Sequence, residues 1–131
     1  MVCMKVLLDT HAFLWWLSDD PRLGNAARAR ITDHRNEVFL SVASTWELAI
    51  KINLGRFAVT GDFETWLLAQ LAGNRFEVLP ILLPHVLALS RLPAHHKDPF
   101  DRILIAQAMG EKMTLLTMDA DIAKYPVEVV W

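Results

Sequence analysis

The chain has 131 residues, 53% hydrophobic and 21% charged, with a formal net charge of −2 at pH 7. That length suits one domain with a two- or three-layer core, and the composition excludes a disordered chain or a basic tail protein. The slight negative charge argues weakly against a nucleic-acid partner. Gathering four of the fifteen acidic residues around a cation, however, leaves the thirteen Lys and Arg residues in the majority elsewhere, so charge alone decides nothing.

In chain order, VLL (6–8) is a strand candidate, followed by a helical pattern through Phe13, Leu14, Trp16 and Leu17 and a second across Ala26 to Ile31. Val38 to Leu40 is the next strand. STWELAIKINLG (44–55) is helical and ends on a C-cap glycine, Gly55. A helix over Phe63 to Leu71 leads to the strand in FEVLPI; PHVLALSRL and FDRILIAQAMG are helical, TLLT is a strand, and VEVVW is the last strand. Apolar strands separated by helices predict a three-layer α/β/α fold, a single domain over residues 1–131 with a mainly parallel central sheet of four to five strands.

No membrane span is expected, because VLPILLPHVLALSRLP (78–93) is broken by prolines and His85 well short of the roughly 20 residues a span needs. VCMKVLL is shorter than a signal peptide and ends at Asp9, and the single Cys3 has no internal disulfide partner, so a cytoplasmic protein is expected. Trp15 and Trp16 are adjacent and on a helix point about 100° apart. One of them is therefore expected to be covered by a partner, with packing of both inside the chain as the alternative.

The acids carry the chemistry. Asp9 follows strand VLL directly and Asp119 follows TLLT after one residue, which puts both at strand carboxyl ends, where open parallel sheets bind ligands. Glu47 lies near the start of its helix, and Asp98 and Asp101 open the helix of HHKDPFDRILIAQA (95–108). Each has a structural explanation: Asp98 as N-cap with Pro99 at the first helical position and Asp101 at the third, Asp9 as a cap, Asp119 and Asp121 as turn residues. Glu47 fits a capping box with Ser44, or an ion pair with Lys51.

Together, four acids from four segments, Asp9, Glu47, Asp101 and Asp119, are expected to meet on one rim. Crowded carboxylates raise each other's pKa and call for a cation, and oxygen donors without cysteine suit Mg²⁺ or Mn²⁺. Such a cation serves phosphodiester hydrolysis by activating water and stabilising the departing oxyanion. His11, His95 and His96 are candidate phosphate contacts. No Gly-rich phosphate loop is present, and there is no Ser/His or Cys/His nucleophile pair, Cys3 being expected on the far side of the first strand.

LLDTHAFLWW (7–16), SVASTWELAIKINLGRF (41–57), HHKDPFDRILIAQA and LLTMDADIAKYPVEVVW (115–131), in this order and spacing, resemble the PIN-domain family and within it the VapC-type toxins. The resemblance implies a metal-dependent endoribonuclease with an RNA substrate, silenced by a cognate VapB-like antitoxin, and a homodimer. By motif, Asp9, Glu47, Asp101 and Asp119 match the catalytic and metal-binding acids. Asp98, Asp121, Thr10 and Thr117 are additional candidates. A phosphatase or Toprim-like enzyme using Asp119 and Asp121 is the alternative within enzymes, and an inert RNA- or protein-binding module the alternative outside them.

Overall fold

The structure, a computed structural model, describes residues 4–131. Cys3 and its expected position lie outside the described residues. Five strands form one sheet: β1 (Lys5–Leu8), β2 (Glu37–Ser41), β3 (Glu77–Leu79), β4 (Thr114–Leu116) and β5 (Val129–Val130). Their order is β3-β2-β1-β4-β5 and every pairing is parallel, with Val6 opposite Val38 on one side and Thr114 on the other. The helices are α1 (Thr10–Leu17), α2 (Asn25–Thr32), α3 (Val42–Asn53), α4 (Phe63–Asn74), α5 (Leu83–Leu89) and α6 (Pro99–Glu111). Six helices on a five-stranded parallel sheet agree with the expected α/β class.

Strand alternation builds two cores. Val6, Leu8, Val38, Leu40 and Leu116 face Ala12, Phe13, Ala27, Ile31 and Leu71 of α1, α2 and α4. Leu7 and Leu115 point the other way, into Ile103, Leu104 and Ala108 of α6 with Leu79 and Tyr125. Both faces of the sheet are thus covered, which is why the strands are continuous apolar runs. The buried Gln107 of α6 stitches the layers at the strand ends, accepting from Ser41 Oγ (2.6 Å) and donating to the Pro80 carbonyl (3.2 Å). Among the described residues no helix is long and apolar enough to cross a membrane.

Three local expectations are corrected. Ser41, not Ser44, caps α3, its Oγ accepting from the Ala43 N–H at 3.0 Å, so Ser44 and Glu47 stand inside the helix and form no capping box. The cap residue at the other end is Leu54, one residue earlier than expected, and Gly55 follows it in the left-handed region with φ of 71°. The two tryptophans are both packed within the chain. Trp15 stacks on His11 (centroids 5.2 Å) and meets Trp131 edge-on, while Trp16 Nε1 donates to Asn74 Oδ1 at 3.0 Å. Adjacent rings 100° apart both find neighbours because α1 lies between the C-terminal residue and α4.

Candidate active site

The strand order reverses direction at β1, which has β2 on one side and β4 on the other. The crevice of an open parallel sheet opens beyond the carboxyl ends at such a point. Asp9 leaves β1 there, its backbone N–H bonded to the Leu116 carbonyl at the end of β4. It also caps α1, with Oδ1 accepting from the Ala12 N–H at 2.7 Å. Capping and a role in the crevice are therefore compatible for one side chain. Asp9 is buried, and burial raises its pKa against the hydrogen bonds of Ala12 and Thr117 that lower it, with the nearby Asp119 charge adding to the rise.

Asp98 caps α6, accepting from the Phe100 and Asp101 N–H groups at 2.8 and 3.2 Å. It is exposed, whereas Asp101 one turn later faces the crevice. Burial and the Asp98 charge, joined by Asp9 and Glu47, push the Asp101 carboxyl up to about 7, with His96 opposing. Asp119 lies beyond β4 and accepts from His96 Nε2 at 2.7 Å. Burial would raise its pKa, but the bonds from His96 and from the Asp121 and Ile122 N–H groups hold it below the ordinary carboxylate value. His96 Nε2 is also 3.3 Å from Asp101 Oδ2, and donor atoms of His96, Asp101 and Asp119 all lie within 4.8 Å of one another.

Glu47 reaches the crevice from the middle of α3. The Thr10 hydroxyl donates to its Oε1 at 2.7 Å, and Lys51 Nζ pairs with its Oε2 at 3.0 Å, the ion pair expected from their spacing. Thr10 Oγ1 also lies 3.1 Å from the buried Ser44 Oγ. Thr117 serves Asp9 and accepts from the Asp119 N–H at 3.1 Å. Asp121 turns outward: its carboxylate pairs with Lys124 at 2.9 Å and only its N–H serves Asp119, at 2.8 Å. Of the three candidate phosphate contacts, His96 is in the cluster, His11 is stacked on Trp15, and His95 is edge-on to Tyr125. Arg102 and Tyr125, which brace the segment before α6, carried no sequence signal beyond the position of Arg102 directly after Asp101.

The donor set fits a hard divalent cation. Asp9 and Asp101 are both raised toward the protonated form by burial and by other acids, and no Lys or Arg pairs with Asp9, Asp101 or Asp119 among the ion pairs of the described residues.

A family profile described as PIN domain matches residues 6–128, a span that includes all of these acids. The chain belongs to the PIN-domain family. One relative, Ribonuclease VapC22 of Mycobacterium tuberculosis (strain ATCC 25618 / H37Rv), is 32% identical over 117 residues, covering 87% of this chain and 86% of that protein. Among solved structures, VapBC2 from Rickettsia felis bound to a DNA fragment from their promoter matches with a TM-score of 0.68 at 14% identity, covering 97% of this chain and 98% of the other. VapBC-5 from Mycobacterium tuberculosis, a member of the VapBC family of toxin–antitoxin systems, matches with a TM-score of 0.61 at 23% identity, over 96% and 97% of the two chains. At these identities the structures establish the PIN fold; the acids of this chain are described from its own geometry.

Proposed function

We propose that this PIN domain, taken as one domain over the whole chain, is a Mg²⁺- or Mn²⁺-dependent endoribonuclease, the toxin of a toxin–antitoxin pair. The observation that carries the reading is the meeting of Asp9, Glu47, Asp101 and Asp119 at the β1–β4 crevice, with Asp101 pushed up to about 7 by burial and neighbouring acids. Asp9, Asp101 and Asp119 would hold the cation directly, and Glu47, already engaged by Thr10 and Lys51, would complete the acidic rim. When bound, the cation supplies Lewis acidity to the phosphate and makes a water nucleophilic near neutral pH. Thr117 and the Asp121 N–H orient Asp9 and Asp119, and Asp98 presents Asp101 by fixing the first turn of α6.

RNA as substrate is supported by the 32% identity to a protein named as a ribonuclease, and an antitoxin partner by the toxin–antitoxin assemblies among the structures of the same fold. An RNA-cutting toxin of this kind acts in the cytoplasm. A homodimer is supported by an exposed apolar stripe, Val42, Trp46, Ile50 and Leu54, running along α3. The phosphatase or Toprim-like alternative needs Asp119 and Asp121 side by side, and the pairing of Asp121 with Lys124 speaks against it.

Purified protein should cut single-stranded or looped RNA with Mg²⁺ or Mn²⁺ present and stop on addition of EDTA. Undiminished cutting in EDTA would overturn the metal-dependent reading, and an absence of both Mn²⁺ binding and cutting would favour an inert binding module.

A further inference from the structure

His96 is held on every side. The Asp98 N–H donates to its Nδ1 at 3.1 Å, so Nδ1 carries a lone pair and the proton of the neutral ring sits on Nε2. That Nε2–H donates to Asp119 Oδ2 at 2.7 Å, and Nε2 stands 3.3 Å from Asp101 Oδ2.

The main chain beneath the ring is fixed as firmly. The His96 N–H donates to the Tyr125 hydroxyl at 2.9 Å, and that hydroxyl donates to the Pro93 carbonyl at 2.6 Å. Arg102 Nη1 donates to the carbonyls of Pro93 (2.9 Å) and His96 (3.2 Å), and Nη2 reaches those of Leu89 and Leu92, both at 3.4 Å. A permanently charged guanidinium is thus committed to main-chain oxygens of one segment and, at 3.3 Å, to the Tyr125 hydroxyl, and what that segment delivers is the His96 ring. His85 provides the contrast: its Nδ1 accepts from the Leu82 N–H in the same way, but its Nε2 meets only Glu111, away from the acids.

We propose that His96 is a positioning residue of the metal site, an Nε2–H donor that turns the Asp119 carboxylate toward the point that Asp101 also faces, and that Arg102 and Tyr125 seat it. This rests on the metal-site reading above. The competing role, His96 as a third ligand with the two acids, needs a free lone pair on Nε2, which the Asp98 contact denies by fixing the proton there. Hydrogen-bonded partners of ligating carboxylates orient them, and their loss typically costs 10–100-fold in metal affinity.

The test has two arms, both on the full chain. In metal-free protein at pH 8, imidazole nitrogen NMR should find His96 protonated at Nε2, and Tyr125→Phe should erode that single tautomer. In a Mn²⁺ titration followed by electron paramagnetic resonance, His96→Ala should weaken binding about 10–100-fold. His96→Gln, whose amide N–H reaches the same place, should restore most of the affinity. Tyr125→Phe should weaken binding less and add little in a double variant with His96→Ala. A proton on Nδ1, nitrogen coupling of a directly ligated imidazole to Mn²⁺, or unchanged affinity in His96→Ala would overturn the positioning role while leaving the proposed function standing. Wild-type protein that binds no Mn²⁺ would overturn both.

Discussion

The hydroxyl of Thr10 donates a 2.7 Å hydrogen bond to Glu47 Oε1, tying the first residue of α1 to the middle of α3 across 37 positions of sequence. Thr10 is buried, and its bond and the Lys51 ion pair hold Glu47 from two sides. Thr10→Val keeps the shape and removes the donor. Because hydrogen bonds to charged groups contribute about 1.5–3 kcal/mol, this variant should lose stability of that order together with most RNA cleavage, and Thr10→Ser should recover much of both. Urea unfolding beside a cleavage assay would check it; a Thr10→Val protein that cuts RNA at the wild-type rate would remove Thr10 from the site.

Asp98 and Asp101 share a helix start but should respond differently to substitution. Asp98→Ala removes the acceptor of two N–H groups and should cost about 0.5–2 kcal/mol, while Asp98→Asn should be mild. Asp101→Asn should leave the metal-free protein as stable or more stable at pH 8, yet abolish cleavage and the stabilisation given by Mn²⁺. Thermal unfolding of the three variants, with EDTA and with Mn²⁺, separates the two roles. An Asp101→Asn protein that is less stable in EDTA but still cuts would make Asp101 a helix-start residue only.

The raised acids set the pH dependence of the metal-free protein. The folded pKa of Asp101, about 7, is above its ordinary 3.8, so its contribution is fully present below about pH 4 and is lost as pH rises through about 7. Asp9 and His96, also raised, act in the same sense, and Asp119, lowered, acts in the opposite one. The melting temperature in EDTA should therefore fall between pH 5 and 8. Added Mn²⁺ should flatten that fall, as should Asp101→Asn. A melting temperature in EDTA that climbs over this range would contradict the electrostatics of the crevice.

A position far from the acids tests the packing of the C-terminus. Gly24 is the N-cap of α2, and a Cβ there would fall on the Trp131 main chain and within 2.7 Å of its Cδ1. Gly24→Ala should cost about 1–3 kcal/mol through overpacking, since backbone cannot give way as a side-chain tip does. Denaturant unfolding at pH 7 would measure it, and a loss below a few tenths of a kcal/mol would mean that Trp131 moves freely.

The sequence by itself determined the element order, the layered α/β class and the acids at strand and helix ends. Periodicity, the Asp98-Pro99 start and the apolar runs of β1, β2 and β4 are local features, and local sterics and capping act on neighbours in the chain. The pairing of Glu47 with Lys51 was visible for the same reason, being one helical turn apart. Other features were decided only by tertiary structure. That β1 and β4 are neighbours, and so bring Asp9 beside Asp119, depends on sheet order, which no local signal encodes. The capping of α3 by Ser41 rather than Ser44 was settled by where β2 ends against its partners. The cover over Trp15 and Trp16 came from Trp131 and Asn74, distant in sequence. Likewise His96 differs from His95 and His11 only because Asp98, Asp101 and Asp119 converge on its ring: a histidine's role depends on the groups facing both nitrogens, and those arrive through long-range packing.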